Sequence, residues 1–210
     1  MFTGIIQASV PVLSAEEQGK NRRVRIQCPR GWKITRGQSI AVDGICSTVT
    51  KKSPTFFEVE YMPETLAKTT AGEFQKETPV NLERSLTLAD FVDGHLVAGH
   101  ADARGTVARI ESGTEGHLVT ISVSAALMRF VAAQGSIAVS GVSLTVARVK
   151  GSTFTVALIP YTLTHTNLGT LRAGSLVNIE VDLIARYAVA AARQGDRVRR
   201  DAKKPLRKRK

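Results

Sequence analysis

Apolar residues recur at alternate positions in short runs along this chain, and the set of runs comes twice. In the first half Val24-Arg-Ile-Gln, Ser39-Ile-Ala-Val, Ser47-Thr-Val-Thr, Phe57-Glu-Val-Glu and Val80-Asn-Leu-Glu are β-branched or alternating, with Gly, Pro, Asn or Lys-Ser breaks between them. The second half answers with Val119-Thr-Ile-Ser-Val, Ser136-Ile-Ala-Val, Ser143-Leu-Thr-Val, Phe154-Thr-Val-Ala-Leu and Val177-Asn-Ile-Glu-Val. Short strands of this kind leave unpaired edges unless they close on themselves, so each half is predicted to be a small barrel. Pro29 to Lys33 and Ala125 to Ala132 are candidates for short helices bridging strands at equivalent points. The segment Leu183 to Arg193 is rich in helix formers, lacks Gly and Pro, and places Leu183, Tyr187 and Ala190 or Ala191 on one face. Only the second half has it, and a terminal helix without an internal partner is expected to pack against another subunit rather than lie back on its own barrel.

The two halves are one module written twice. Ser39 to Glu83 reappears as Ser136 to Glu180 at a constant offset of 97 residues, with 17 of 45 paired positions identical. Core periodicity accounts for matching valines and isoleucines, but not for Ser, Gly, Thr, Pro and Asn held at fixed places between them. The polar matches predict two related sites on two related folds. The units expected are a first barrel over 1–96, a second over 97–182, the helix over 183–193 and a tail over 194–210.

Charge changes this picture little. The net charge is +11, but residues 193–210 carry +8 of it through ten Lys and Arg against Asp196 and Asp201, leaving +3 for the rest. An aromatic-free basic tail containing Gly195 and Pro205 is expected to be solvated and disordered. A nucleic-acid-binding barrel would need stacking aromatics on a strand face, and aromatics are 5% of the chain. Cys28 and Cys46 make no disulfide framework, the amino end lacks the look of a signal peptide, and no apolar stretch approaches the ~20 residues of a membrane span. A cytoplasmic protein with no membrane partner is expected.

Candidate chemistry comes from comparing the copies. His100, in Gly99-His-Ala-Asp, faces Ile5 of Gly4-Ile-Ile-Gln when the glycines are aligned, and imidazole is the side chain whose ordinary pKa lies near neutrality. Cys46 stands against Ser143, each after Gly-Ile or Gly-Val and two residues before Thr48 or Thr145. Matched copies with different nucleophilic atoms point to related sites with unlike roles. His95 and His100, five apart, are expected on opposite faces of a strand, and neither the four histidines nor the cysteines have metal-ligand spacing. No glycine-rich phosphate loop precedes a helix. The residues alone describe tandem barrels that bind two similar small molecules.

Met1-Phe-Thr-Gly-Ile-Ile-Gln7, Asp43-Gly-Ile-Cys-Ser-Thr-Val49, Met62-Pro-Glu-Thr-Leu66, Asn81-Leu-Glu-Arg84, Gly94-His-Leu-Val-Ala-Gly-His100, Gly141-Val-Ser-Leu-Thr-Val146 and Ile159-Pro-Tyr-Thr-Leu163 together resemble riboflavin synthases of the alpha-chain type. The likeness runs from about residue 1 to 190 in order. It implies a dismutation in which one 6,7-dimethyl-8-ribityllumazine gives a four-carbon unit to another, yielding riboflavin and 5-amino-6-ribitylamino-uracil, with no metal or redox cofactor. It also implies a homotrimer held by carboxy-terminal helices, active sites shared between neighbouring subunits, and possible association with lumazine synthase. The fold expected is then all-β: two tandem six-stranded Greek-key barrels related by the internal repeat, plus a C-terminal α-helix.

Carried over by position, the resemblance implies an amino-barrel pocket of Gly4, Ile5, Ile6, Cys46, Ser47, Thr48, Glu60, Tyr61, Met62, Pro63, Glu64 and Thr65. The carboxy-barrel pocket would comprise Gly99, His100, Ala101, Gln134, Ser143, Leu144, Thr145, Ile159, Pro160, Tyr161, Thr162, Leu163 and Thr164. His100, Ser143 and Thr145 would form a proton network, Cys46 and Phe2 would lie beside the partner molecule, and Asp182 completes the catalytic set. The chain departs from the family pattern at Ser47, Ala101-Asp-Ala103, Gln134 and Ser140. A non-catalytic lumazine- or flavin-binding relative is the alternative; such proteins tend to lose the histidine and one Pro-x-Thr segment, and this chain keeps both.

Overall fold

The computed structural model describes residues 1–202, with side chains for 1–194. Strands β1 (Ala8–Gln18), β2 (Asn21–Gln27), β3 (Ser39–Val42), β4 (Ile45–Lys52), β5 (Phe56–Tyr61) and β6 (Pro79–Arg84) close in the order β1-β2-β5-β4-β3-β6. Strands β7 (Ala103–Gly113), β8 (Gly116–Ser122), β9 (Ser136–Val139), β10 (Val142–Lys150), β11 (Thr153–Leu158) and β12 (Leu176–Val181) close in the same Greek-key order, all neighbours antiparallel. Closure leaves neither sheet with an open edge.

Alternation fills each barrel. Val12, Val24, Ile26, Ile40, Phe57, Val59 and Leu82 are buried in the first, and Val107, Val119, Ile121, Ile137, Phe154, Val156 and Ile179 take the same places in the second. The register slips at equivalent points in both copies, at Val49/Lys51 and Val146/Arg148 and at Val12/Ser14 and Val107/Arg109. Such bulges bend a strand sharply enough to close a small barrel. Inside, one exchange distinguishes the copies: the Tyr61 hydroxyl meets Ser47 Oγ at 2.9 Å in the first, where the second has Leu158 and Leu144.

The helices differ from expectation. Residues 29–33 form a turn, because Gly31 adopts a left-handed φ of +81° that ends any helix before it begins. The second candidate is a single helical turn, α2 (Ala125–Met128). Two further helices, α1 (Pro63–Lys68) and α3 (Pro160–His165), follow the fifth strand of each copy, each started by proline at its first position and followed by a 3-10 turn. The last helix, α4 (Leu183–Ala202), continues through Gly195 past the end expected at Arg193; residues 203–210 of the predicted tail lie outside the described residues. Its first turn is tied to the second barrel by Arg186, whose guanidinium donates to both Asp102 oxygens at 2.7 and 2.8 Å.

A pseudo-twofold relation joins the barrels. The tips of the β3–β4 and β9–β10 hairpins meet back to back, with Gly44 and Gly141 so close that a Cβ on either would come within 2.7 Å of the other's backbone nitrogen. Around them, Thr70 N donates to Asn178 Oδ1 and Asn167 N to Asn81 Oδ1, both at 2.8 Å. Asn81 Nδ2 reaches Ser140 O and Asn178 Nδ2 reaches Asp43 O. These side-chain amides recur at equivalent positions because each closes the other barrel's turn.

Candidate active site

The site is built where each barrel's leading segment crosses to the other barrel. Residues 2–7 lead into β1 and 97–102 into β7, and a buried glutamate of each barrel holds the backbone. Glu83 accepts from Thr3 N, Thr3 Oγ1 and Gly4 N at 2.6–2.9 Å, and Glu180 from Ala98 N, Gly99 N and His100 N at 2.7–3.0 Å. Burial pushes both carboxyls above their ordinary pKa, against the pull of those N–H groups. Ser143 N then donates to Gly4 O at 2.8 Å, and Cys46 N to Gly99 O at 2.7 Å. Both glycines have left-handed φ, +78° and +79°, and a Cβ would come 2.6 Å from Ser143 Cβ or 2.8 Å from Cys46 Cβ. No other residue fits that crossing.

This crossing regroups the expected pockets. Gly4, Ile5 and Ile6 belong with Ser143, not with Cys46, and Ile6 packs on the second barrel's core. Gly99, His100 and Ala101 belong with Cys46. Together with Ile45, Glu64, Thr65, Lys68 and Thr69 they line a pocket of about 280 Å³ between β4 and α1. That pocket is therefore composite, drawn from both halves of the chain.

Within one chain, His100 is not brought to Ser143 and Thr145. His100 lies on the Cys46 side, its side chain exposed, while Ser143 Oγ is 2.7 Å from Nδ1 of His95. Neither histidine is on a strand; both sit in the segment joining the barrels. His95 N donates to Thr3 O at 3.0 Å, and a Cβ on Gly94 would come 2.9 Å from Ser143 Cβ, so this segment is pressed against the serine. Burial holds the imidazole below its ordinary pKa, with the Asp182 charge pulling the other way. Nε2 is buried without a hydrogen-bond partner among the described residues. Burial thus favours the neutral form of the ring.

Other predicted residues divide by the pleat. Cys46, Thr48, Ser143 and Thr145 point outward, whereas Ser47, Tyr61 and Leu144 point into the barrels at 3%, 3% and 9% exposure and line no pocket. Phe2 is wholly buried between the barrels with Ala41, Val97 and Ala138, beneath Cys46 and Gly99, so it supports the pocket from behind. Glu60 is exposed and bonded to Asn21. Met62, Pro63 and Glu64 begin α1, and Ile159, Pro160 and Tyr161 begin α3, all exposed; Thr162 and Leu163 are half-buried, and Thr164 Oγ1 donates within α3 to Pro160 O and Tyr161 O. Gln134 is exposed in the turn before β9, its N–H on Val146 O, and Asp182 caps α4 by accepting from Ile184 N at 2.9 Å. Sequence reasoning missed His95 and Lys68: His95 has no counterpart in the repeat, and Lys68 is visible only once α1 is.

Comparisons with known proteins show the family. A family model described as the lumazine binding domain matches residues 3–85 and again 98–182. The riboflavin synthase of Actinobacillus pleuropneumoniae is 38% identical over 188 residues, covering 89% of this chain and 87% of that protein. That of Bacillus subtilis is 37% identical, with the same 89% and 87% coverage. The chain belongs to the riboflavin synthase family and carries two lumazine-binding domains in tandem. Its fold is also that of LumP, crystallised in complex with riboflavin, with a TM-score of 0.81, 23% identity, and 86% of this chain and 99% of that chain covered.

Proposed function

We propose that the protein catalyses the dismutation of two molecules of 6,7-dimethyl-8-ribityllumazine, moving a four-carbon unit from one to the other to give riboflavin and 5-amino-6-ribitylamino-uracil. The observation that carries this reading is the pair of equivalent crossings, which set Ser143 against Gly4 and Cys46 against Gly99. A reaction between two copies of one molecule needs two pockets of like shape and unlike groups. One copy holds the Cys46 thiol in a pocket shared with His100; at the equivalent place the other copy has Ser143, hydrogen-bonded to the His95 imidazole.

The 7-methyl group of one lumazine is acidified by its electron-poor ring. His95, neutral and hydrogen-bonded to Ser143, is the base that fits this proton, with the exposed Thr145 hydroxyl two residues further along the same face. Cys46 packs against the other ring. Backbone groups at the starts of α1 and α3 face the pyrimidine edges, and the hydroxyls of Thr65 and Thr162 lie near the substrates' polar atoms. The subunits assemble as a trimer through α4, whose Ile184 and Tyr187 are 70% and 68% exposed, and the trimer works in the cytoplasm, where lumazine synthase is a fitting partner as the enzyme that makes the substrate.

The test is a time course with 6,7-dimethyl-8-ribityllumazine and no other addition, read by absorbance and chromatography. One riboflavin for every two lumazines consumed is the expected result. Binding with altered fluorescence and no riboflavin would make the protein a carrier instead.

A further inference from the structure

A separate cavity of about 260 Å³ opens at the junction of the barrels, and none of Cys46, Ser143, His95 or His100 lines it. Its twelve lining residues are six pairs related by the repeat offset of 97, among them Asp43 with Ser140, Thr70 with Asn167 and Phe74 with Leu171. The cavity therefore straddles the pseudo-twofold axis. Its charge does not share that symmetry. Both acids, Asp43 and Glu73, come from the first copy, and the second has Ser140 and Thr170 in their places.

We propose that this cavity binds a small primary ammonium, the head of a short aliphatic amine, against the Asp43 carboxylate. Asp43 is 5% exposed, and its two oxygens are unequally served. Oδ1 accepts from Asn81 N at 2.7 Å and from Asn167 Nδ2 at 2.9 Å, whereas no described residue donates to Oδ2. Asp43 borders the cavity, so Oδ2 is the atom it offers there. A carboxylate this deeply buried calls for a donor on each oxygen, and for a cation above all.

The rest of the lining narrows the class of ligand. None of the twelve residues is Lys, Arg or His, and Arg104 reaches only Glu73, at 3.0 Å, so one acid is paired and the other is not. A metal ion suits the place less well, because the described residues hold no group of three His, Cys, Asp or Glu to ligate one. Phe74, Pro79, Leu171 and Leu176 set hydrocarbon beside the hydroxyls, which fits a short alkyl chain behind the ammonium.

The experiment is thermal unfolding of the full-length protein at pH 8, where the Asp43 carboxyl, pushed up to about 7, is ionised. The probe is 1-aminobutane hydrochloride; sodium chloride at equal ionic strength and 1-butanol, the neutral isostere, are the controls. A ligand that binds only the folded state raises the melting temperature with concentration. The amine is expected to bind about tenfold more tightly than the alcohol, the difference between a charge-assisted hydrogen bond and a neutral one. Asp43→Asn, which puts an amide N–H₂ where Oδ2 stands, is expected to abolish that difference. Asparagine accepts the φ of +48° and keeps the two bonds to Oδ1, so the variant folds. Equal stabilisation of the wild type and Asp43→Asn would place the amine elsewhere. Equal effects of amine and alcohol would make the cavity an apolar hole, and no shift with the amine would leave it to water; each of these results overturns the proposal.

Discussion

At the residue scale the site turns on Cys46 and Ser143, at equivalent places but with different histidines beside them. His95→Gln keeps a hydrogen bond to Ser143 but cannot accept a proton, so turnover should fall about 10²- to 10³-fold with lumazine affinity retained, as read by steady-state kinetics beside fluorescence titration. Burial keeps His95 below the ordinary imidazole pKa, so the acid limb of the wild-type rate profile should lie below about pH 6.5. Cys46→Ser should keep turnover within about tenfold, since the thiol's visible contacts are packing ones, with Phe2 and Gly99; near-complete loss would mean covalent attack. The Cys46–Ser143 difference was legible because the repeat aligns them. His95 was not, because its partner lies 48 residues away and no repeat position calls attention to it.

At the element scale the leading segments matter most. Gly99→Ala puts a Cβ 2.8 Å from Cys46 Cβ in a left-handed conformation, so the segment must move. The expected result is loss of at least about 2 kcal/mol of stability in thermal or urea unfolding, together with loss of lumazine binding at the Cys46 pocket. Strands were readable from alternation wherever one face is buried; β1 and β7, the first strand of each barrel, follow the same rule but were not among the runs read. Helices α1 and α3 carried a signal too: a proline just after the fifth strand of each barrel, followed by Glu-Thr-Leu or Tyr-Thr-Leu. The false helix at 29–33 came from overlooking Gly31, whose positive φ turns the chain instead.

At the scale of the whole molecule, the junction between barrels holds a buried carboxyl with no cation beside it among the described residues. Asp43 is pushed up to about 7 by desolvation, although Asn81 N and Asn167 Nδ2 donate to its Oδ1. The other groups around it are the neutral Ser140 and Thr70, and Glu73, which is paired with Arg104. A folded-state pKa above the unfolded value means the native state favours the protonated form. Stability from this group is full below about pH 4 and is lost as pH rises through about 7. Asp43→Asn keeps both donors satisfied and tolerates the positive φ, so its melting temperature should exceed the wild type's at pH 8 and converge with it at pH 5. Asn178→Ala should cost about 1–3 kcal/mol by orphaning Thr70 N, measurable by urea unfolding. None of this was visible in the sequence: the repeat predicts two barrels, but the polar matches at Asn81 and Asn178 do not say that each amide serves the opposite copy.

That reciprocal crossing carries a historical implication. A single ancestral barrel could have completed its pocket only with the leading segment of a twin, so the ancestor was a symmetric dimer with two identical sites. Gene duplication and fusion turned the twin into a covalent neighbour, and only then could selection change one site without changing the other.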